Sequence, residues 1–256
     1  MILVDNPLSP YAQKVRLVLH EKQIDFESRE MWSKSQHEEL FSLNPRGEVP
    51  ALIDDETVVA DSTIICEYLE ERFPDPPLLP ADPGQRAIAR SVERLSDTSI
   101  DACVITLAMF RFFRPALATE RADALEKAEA NLRGYYAHLD TRLGGHEYFA
   151  GELSRADLAL IVHVNTAAFL GCAPADDQAR LAGWVERMNT RPSVARSVAD
   201  MTESIEKSQT IEDPLFENER LHWRDSRIEW MLRCGLGDWL ATEFEADRAF
   251  FSPIPS

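Results

Sequence analysis

Residues 44–74 read NPRGEVPALIDDETVVADSTIICEYLEERFP, and the first half of the fold is organised around them. Asn44-Pro45-Arg46-Gly47 is turn chemistry, and Pro50 stands directly before Ala51-Leu52-Ile53, a short apolar run of strand type. Asp54-Asp55-Glu56 makes a polar turn before β-branched Thr57-Val58-Val59, so the two runs predict a tight hairpin. Asp61 can cap a helix whose apolar residues Ile64, Ile65, Tyr68 and Leu69 fall at helical spacing, and Phe73-Pro74 ends it. A proline at a strand entrance gives no N–H to the ladder and tolerates a cis peptide far better than any other residue.

Two places in this stretch leave backbone groups for a ligand. With Val49-Pro50 cis, the Val49 N–H and C=O turn outward and can pair with an extended peptide-like ligand as one more strand. The start of the Asp61 helix offers unpaired N–H groups and positive dipole, which suit a carboxylate, while the Asp61 side chain suits an ammonium. An α-amino-acid end beside a short peptide backbone fits both. VPAL, then a strand, then D-S-x-x-I-x-x-Y-L, resembles the glutathione-binding core of the cytosolic glutathione transferases. The resemblance implies glutathione as co-substrate, with Val49 and Pro50 at its cysteine part and Asp61 and Ser62 at its γ-glutamyl end.

Towards the N-terminus, Met1-Ile2-Leu3-Val4 reads as a buried strand stopped by Asp5-Asn6-Pro7. Ser9-Pro10 opens a helix, with Ser9 at the cap, Pro10 at the first helical position, and Val15, Leu17, Val18 and Leu19 on its apolar side. Residues 24–31 fit a second strand, and Trp32 to Leu43 a polar connection with at most a short helix. The order strand, helix, strand, helix, strand, strand, helix resembles a thioredoxin fold, and Ser9 sits where that fold places its chemistry. As an N-cap Ser9 is worth about 1 kcal/mol. Its hydroxyl and the helix N-terminus can also stabilise a ligand thiolate, lowering a thiol pKa from about 8.5. The two roles are compatible.

SPYAQKVRLVLHEKQIDFE resembles the corresponding segment of serine-type and cysteine-type transferases. Ser9 stands where the cysteine-type members carry Cys, so thiolate activation rather than a mixed disulfide is its implied catalytic role, with Asn6 as the reserve donor. The resemblance also points Lys34, His37 and Glu48 at the glycine end of glutathione. Glu48 departs from the pattern: many relatives carry Lys or Gln there, and a carboxylate would repel the glycine carboxylate.

The chain has 256 residues, 45% of them hydrophobic, enough for one large or two ordinary domains with proper cores. Its net charge is -17. Residues 1–80 hold 7 Lys and Arg against 16 Asp and Glu, a balance of -9. That acidity argues against nucleic acid or an anionic membrane as partner, since both need a basic face. Cys66, Cys103, Cys172 and Cys234 are widely spaced and form no C-x-x-C pair, so neither a disulfide framework nor a zinc site is suggested, and no metal is expected. The apolar run in MILVDNPLSP is too short for a secretory signal, and no run of 18 apolar residues occurs. A soluble, cytoplasmic protein is the expectation.

Downstream, PDPPLLPADP (residues 74–83) excludes both helix and sheet interior, and the domain boundary is placed there. Residues 84–113, 119–143, 154–170 and 176–190 carry helical patterns, predicting a helical bundle. Ser154 stands three residues before Asp157, with Leu153 and Leu158 as a hydrophobic staple, a capping box that resembles that of the transferase helical domain. Trp184, Met188, Asn189 and Arg191-Pro192 follow as that family's late helix does, so the resemblance covers residues 1 to about 200. Ala108 to Arg114 is an aromatic cluster on a long helix, and Met109, Phe110 and Phe113 are candidates to line an apolar second-substrate pocket facing Ser9. Glu206 to Glu219 reads as polar loop. Leu221 to Asp247, with Trp223, Ile228, Trp230, Met231, Leu232, Leu236, Trp239, Leu240 and Phe244, is too apolar for a free tail.

The expected fold class is therefore an α/β thioredoxin-like N-terminal domain (residues 1–80), an all-α helical bundle domain (84–205), and a C-terminal helical extension (206–256) docked on the bundle. The resemblance implies a homodimeric glutathione S-transferase whose bound thiolate attacks a small hydrophobic electrophile. NPRGEVPAL, ADSTIICEYLEERFP and PADP resemble, more narrowly, the bacterial β-aryl etherases, ether-cleaving lyases of aromatic compound degradation. A third reading keeps the fold as a non-catalytic binding module, as in some translation factors and stress proteins. The intact set of Ser9, Val49, Pro50, Asp61 and Ser62 argues against it.

Overall fold

The computed structural model describes residues 1–115, 117–208, 210–211, 221–222 and 224–250. Strand β1 (Ile2–Asp5) leads to helix α1 (Pro10–Glu21), whose start is set by Ser9 as N-cap and Pro10 in the first turn. Strand β2 (Glu27–Glu30), shorter than the 24–31 run suggests, is followed by a 3-10 turn at Lys34–Gln36 and helix α2 (His37–Leu43). The predicted hairpin is β3 (Ala51–Asp54) and β4 (Thr57–Ala60), and helix α3 (Ser62–Arg72) starts at its Asp61 cap. The four strands lie in the order β2-β1-β3-β4, with β1 parallel to β2 and antiparallel to β3, a thioredoxin-like sheet.

The register positions the site. Val4 pairs with Ala51, and Ala51 pairs with Ala60. The chain leaving β1 at Asp5, the chain entering β3 at Pro50 and the chain leaving β4 at Asp61 therefore meet at one end of the sheet.

Residues 74–82 of the proline-rich stretch carry neither helix nor strand, Pro83 opens the next helix, and the Asp75–Pro76 peptide is cis. A backbone bond ties it to the helical domain: the Arg155 N–H donates to Leu78 O at 2.9 Å. That domain holds helices α4 (Pro83–Leu95), α5 (Asp101–Ala108), α6 (Leu117–Glu120), α7 (Ala122–Leu143), α8 (Arg155–Phe169), α9 (Ala179–Asn189) and α10 (Pro192–Ser208). Where the sequence predicts one helix over 84–113, π-helical turns at Ser96–Ile100 and Met109–Phe113 interrupt it. Helix α10 runs through Glu206 to Ser208, which read as loop. Its buried Ser193, Ser197 and Ser204 are small enough to let its Val194 and Met201 face settle inward, and α10 lies against α1. The capping box is present, with the Asp157 carboxylate accepting from both the N–H and the hydroxyl of Ser154 at 3.0 Å.

The C-terminal extension holds helices α11 (Asp225–Arg233) and α12 (Gly237–Glu245) between two short strands, β5 (Leu221–His222) and β6 (Ala249–Phe250), which pair in parallel. It is thus not purely helical. Trp230, Met231, Leu236 and Leu240 are buried, and α11 packs on α5 and the 96–100 turn. Trp223 lies outside the described residues. One apolar core runs from Leu3 and Leu52 of the sheet through α1 and the bundle to Trp230 and Leu240.

Candidate functional site

At the shared end of the sheet, Ser9 Oγ accepts from the Ala12 N–H at 3.4 Å, and the Ser9 N–H donates to Asn6 O at 2.9 Å. Ser9 is partly exposed, and its hydroxyl hydrogen meets no acceptor among the described residues. Capping uses an oxygen lone pair and leaves that hydrogen to give, so a cap and a donor coexist in one side chain.

Asn6 does not serve as a second donor. It is fully buried, its Nδ2 donates to Met31 O at 2.8 Å, and its Oδ1 accepts from the Leu8 N–H at 2.9 Å. It shapes the loop that presents Ser9. Tyr11, two residues beyond Ser9, is also unsuited to protonate or hold a thiolate. Its hydroxyl donates to Asp97 O at 2.9 Å, and burial pushes the phenol well above its usual range. Burial likewise pushes the Cys66 thiol of α3 up to about 12, against the pull of Lys14 and Arg155.

Val49 is buried, its peptide to Pro50 is cis, and its N–H donates to no backbone carbonyl among the described residues. Asp61 Oδ1 accepts from the N–H groups of Thr63 at 2.9 Å and Ile64 at 3.3 Å, while Oδ2 meets no donor among the described residues. Asp61 holds φ at 75°, a region few non-glycine residues occupy. Ser62 follows as the first helical residue, its N–H and hydroxyl without a partner among the described residues. One end of the sheet therefore carries an unspent carboxylate oxygen, two N–H donors, two hydroxyls and the positive ends of two helices. Such a set can hold an amino acid by its ammonium and carboxylate, a peptide by its backbone, and a thiolate by its charge.

Beside Val49, the Glu48 carboxylate is compensated. Arg46 Nε stands 2.9 Å from it, and Arg224, just before α11, forks onto it with Nε to Oε1 at 3.2 Å and Nη2 to Oε2 at 3.1 Å. The Arg224 guanidinium lies over the Tyr11 ring, 4.1 Å from its centroid. Three residues later, Arg227 forks onto buried Asp101 at 2.8 and 3.1 Å, and His163 Nε2 lies 3.6 Å from the same carboxylate. Burial raises the Asp101 carboxyl, but the charge and hydrogen bonds of the Arg227 guanidinium more than reverse this and hold it well below the usual carboxylate range. Fully buried Lys14 joins α1 to the bundle through Asp97 at 2.5 Å and Glu93 at 3.3 Å.

Met109 and Phe110 are fully buried, and Phe110 packs on Trp239 of α12 with ring centroids 5.7 Å apart. Both belong to the apolar core rather than to a pocket lining, and the extension covers Phe110. Phe113 stays partly exposed, edge-on to Phe112 at 5.2 Å. The side chains of Lys34 and His37 lie outside the described residues. Arg224, Arg227 and Asp101 escape sequence reasoning. Two arginines three apart are unremarkable, and the only signal was the tryptophan-rich extension that carries them. Among the described residues, no group of three His, Cys, Asp or Glu could hold a metal ion, and no helix is long and apolar enough to cross a membrane.

Residues 3–77 match the family described as "Glutathione S-transferase, N-terminal domain", and residues 100–192 match "Glutathione S-transferase, C-terminal domain". Glutathione S-transferase 1 of Dianthus caryophyllus is 35% identical over 166 residues, 62% of this chain and 74% of that protein. FtsZ-localized protein A of Caulobacter vibrioides (strain NA1000 / CB15N) is 29% identical over 207 residues, 76% of this chain and 89% of that protein. Among solved structures, beta-etherase LigF from Sphingobium sp. strain SYK-6 superposes with a TM-score of 0.66 at 26% identity, covering 77% of this chain and 98% of that one.

Proposed function

The chain belongs to the glutathione S-transferase family and is a glutathione transferase, and on that footing we propose that Ser9 stabilises the thiolate of bound glutathione, whose proton is released to solvent, for attack on a small hydrophobic electrophile. The observation that carries this reading is the hydroxyl hydrogen of Ser9, at the same end of the sheet as the Val49 and Ser62 N–H groups, all three without a partner among the described residues. Glutathione lies extended across that end. Its γ-glutamyl carboxylate takes the Ser62 N–H and hydroxyl at the start of α3, and its ammonium meets Asp61 Oδ2. Its cysteine pairs with the Val49 backbone as an added strand, and the sulfur receives the Ser9 hydrogen bond and the positive end of α1. The thiolate forms a C–S bond with the electrophile, and the leaving group departs with the displaced electron pair.

A second reading is favoured by the likeness to a solved beta-etherase. In it the electrophilic carbon bears an aryl ether oxygen, and a phenolate leaves as the C–S bond forms.

The test follows the absorbance of bound thiolate against pH in the native protein and in Ser9→Ala. Losing one hydrogen bond to the thiolate raises the bound thiol's pKa by about one to two units, at roughly 1.4 kcal/mol per unit, with glutathione affinity little changed. Superimposable curves assign activation to the helix dipole alone. A native protein that binds glutathione without ionising it is a binding module. Glutathione consumption with aryl halides, epoxides and aryl ethers side by side, with phenol release measured for the last, separates the two reactions.

A further inference from the structure

We propose that Arg224, brought in by the C-terminal extension, receives the glycine carboxylate of glutathione, so that the extension completes a ligand site otherwise built by the first domain. The inference rests on the glutathione reading above and assigns a residue to the end of the ligand that reading leaves without a described partner.

Glutathione carries a carboxylate at each end. The γ-glutamyl end belongs at Asp61 and Ser62, which follow Ala60, the partner of Ala51 in the hairpin register. A ligand paired as a strand beside Val49 then runs its other end away from α3, along Glu48. A carboxylate arriving there meets another carboxylate, an arrangement that disfavours ionisation of both unless cations intervene. Among the described residues Arg46 and Arg224 do, converging on Glu48.

Arg224 is the better placed of the two. Arg46 is half-exposed and comes from the same turn as Glu48, whereas Arg224 is 19% exposed, lies 4.1 Å over the Tyr11 ring centroid and directly precedes α11. The Arg227–Asp101 fork anchors that helix three residues on. Glu48 occupies Nε and Nη2 of Arg224, while Nη1 donates to no group among the described residues. A guanidinium has five N–H donors in a rigid plane, so it can keep a bond to Glu48 and turn its remaining edge to a second carboxylate. In this arrangement Glu48 orients and partly competes for the arginine, which accounts for an acidic residue at a position that would otherwise repel the ligand.

The test compares glutathione with its glycine monoethyl ester by titration calorimetry. The native protein is expected to prefer the acid by about tenfold or more, the scale of one charge-assisted bond. In Arg224→Gln the preference falls to within about threefold, because affinity for the acid drops while that for the ester holds, and Arg224→Lys recovers part of it. Glu48→Gln tightens the acid and leaves the ester unchanged. If Arg224 only pins the extension, Arg224→Gln weakens both ligands alike and the native ratio persists, which overturns the proposal. Failure of the underlying reading looks different: neither ligand binds the native protein, or Asp61→Ala leaves glutathione affinity unchanged. Binding that is sensitive to Asp61 with a ratio indifferent to Arg224 sinks this inference alone.

Discussion

Arg227 and Asp101, 126 residues apart, face each other as a fork, Nε to Oδ2 at 2.8 Å and Nη2 to Oδ1 at 3.1 Å, with both side chains nearly excluded from water. The pair clamps α11 onto the start of α5 and so sets where Arg224 meets Tyr11 and Glu48.

Arg227→Ala leaves Asp101 charged and buried, and removing one partner of such a pair costs about 3–5 kcal/mol. Arg227→Leu combined with Asp101→Asn should recover most of that loss, and a double-mutant cycle in urea measures the coupling. The pH dependence has a definite sign. The folded pKa of Asp101 lies below its unfolded value, so its contribution is present above about pH 4 and is lost as pH falls through the folded value. In Arg227→Ala that acid-side loss disappears. A cost under about 1 kcal/mol would mean that the extension is held by its apolar residues alone.

Asp61 performs two tasks that substitution can separate. Asp61→Asn keeps a helix cap but not the charge, so stability should change by only a few tenths of a kcal/mol while the glutathione dissociation constant rises about tenfold. Asp61→Ala should lose the affinity and about 1 kcal/mol of stability as well. Equal affinity for Asn and Asp would end the ammonium role.

Asp157 accepts from the Phe149 N–H at 3.2 Å, from Trp184 Nε1 at 3.0 Å and from Ser154. Burial pushes its carboxyl up to about 6 against the pull of those bonds. A raised folded pKa means a contribution fully present below the unfolded value and lost as pH rises through the folded one. The native protein should therefore lose up to about 3 kcal/mol between pH 4 and pH 7 relative to Asp157→Asn, whose profile is flatter there. Parallel urea-stability profiles for the two proteins would count against a raised carboxyl.

Members of the family are typically dimers, and a homodimer is proposed for this chain. Edge strand β4 and helix α3 expose Val58 at 44% and Ile64 at 55%, apolar surface suited to a second copy. Sedimentation at micromolar concentration should give twice 29.0 kDa, and Ile64→Glu should shift the protein towards the single-chain mass. A native protein sedimenting at 29.0 kDa would refute the dimer.

Much of the fold and the centre of the site were legible because they rest on short-range chemistry. Ser9 caps α1 through a bond three residues long, Asp61 caps α3 over two and three, and Ser154 and Asp157 lock a box over three. The β3–β4 hairpin follows from a polar turn between two apolar runs. Such interactions are decided by neighbours in sequence, so residue identity and spacing suffice. The meaning of Glu48 was not legible, because its fork partner lies 176 residues away. Nor was the burial of Phe110, which packs on Trp239, or the loss of Asn6 to Met31 O, 25 residues on. Sequence alone determined the strands and capped helices of the first domain and which backbone groups lie at their ends. Which charges neutralise one another and which aromatics see water was decided by helix packing, since ion pairing and burial depend on distances that appear only once remote segments are docked.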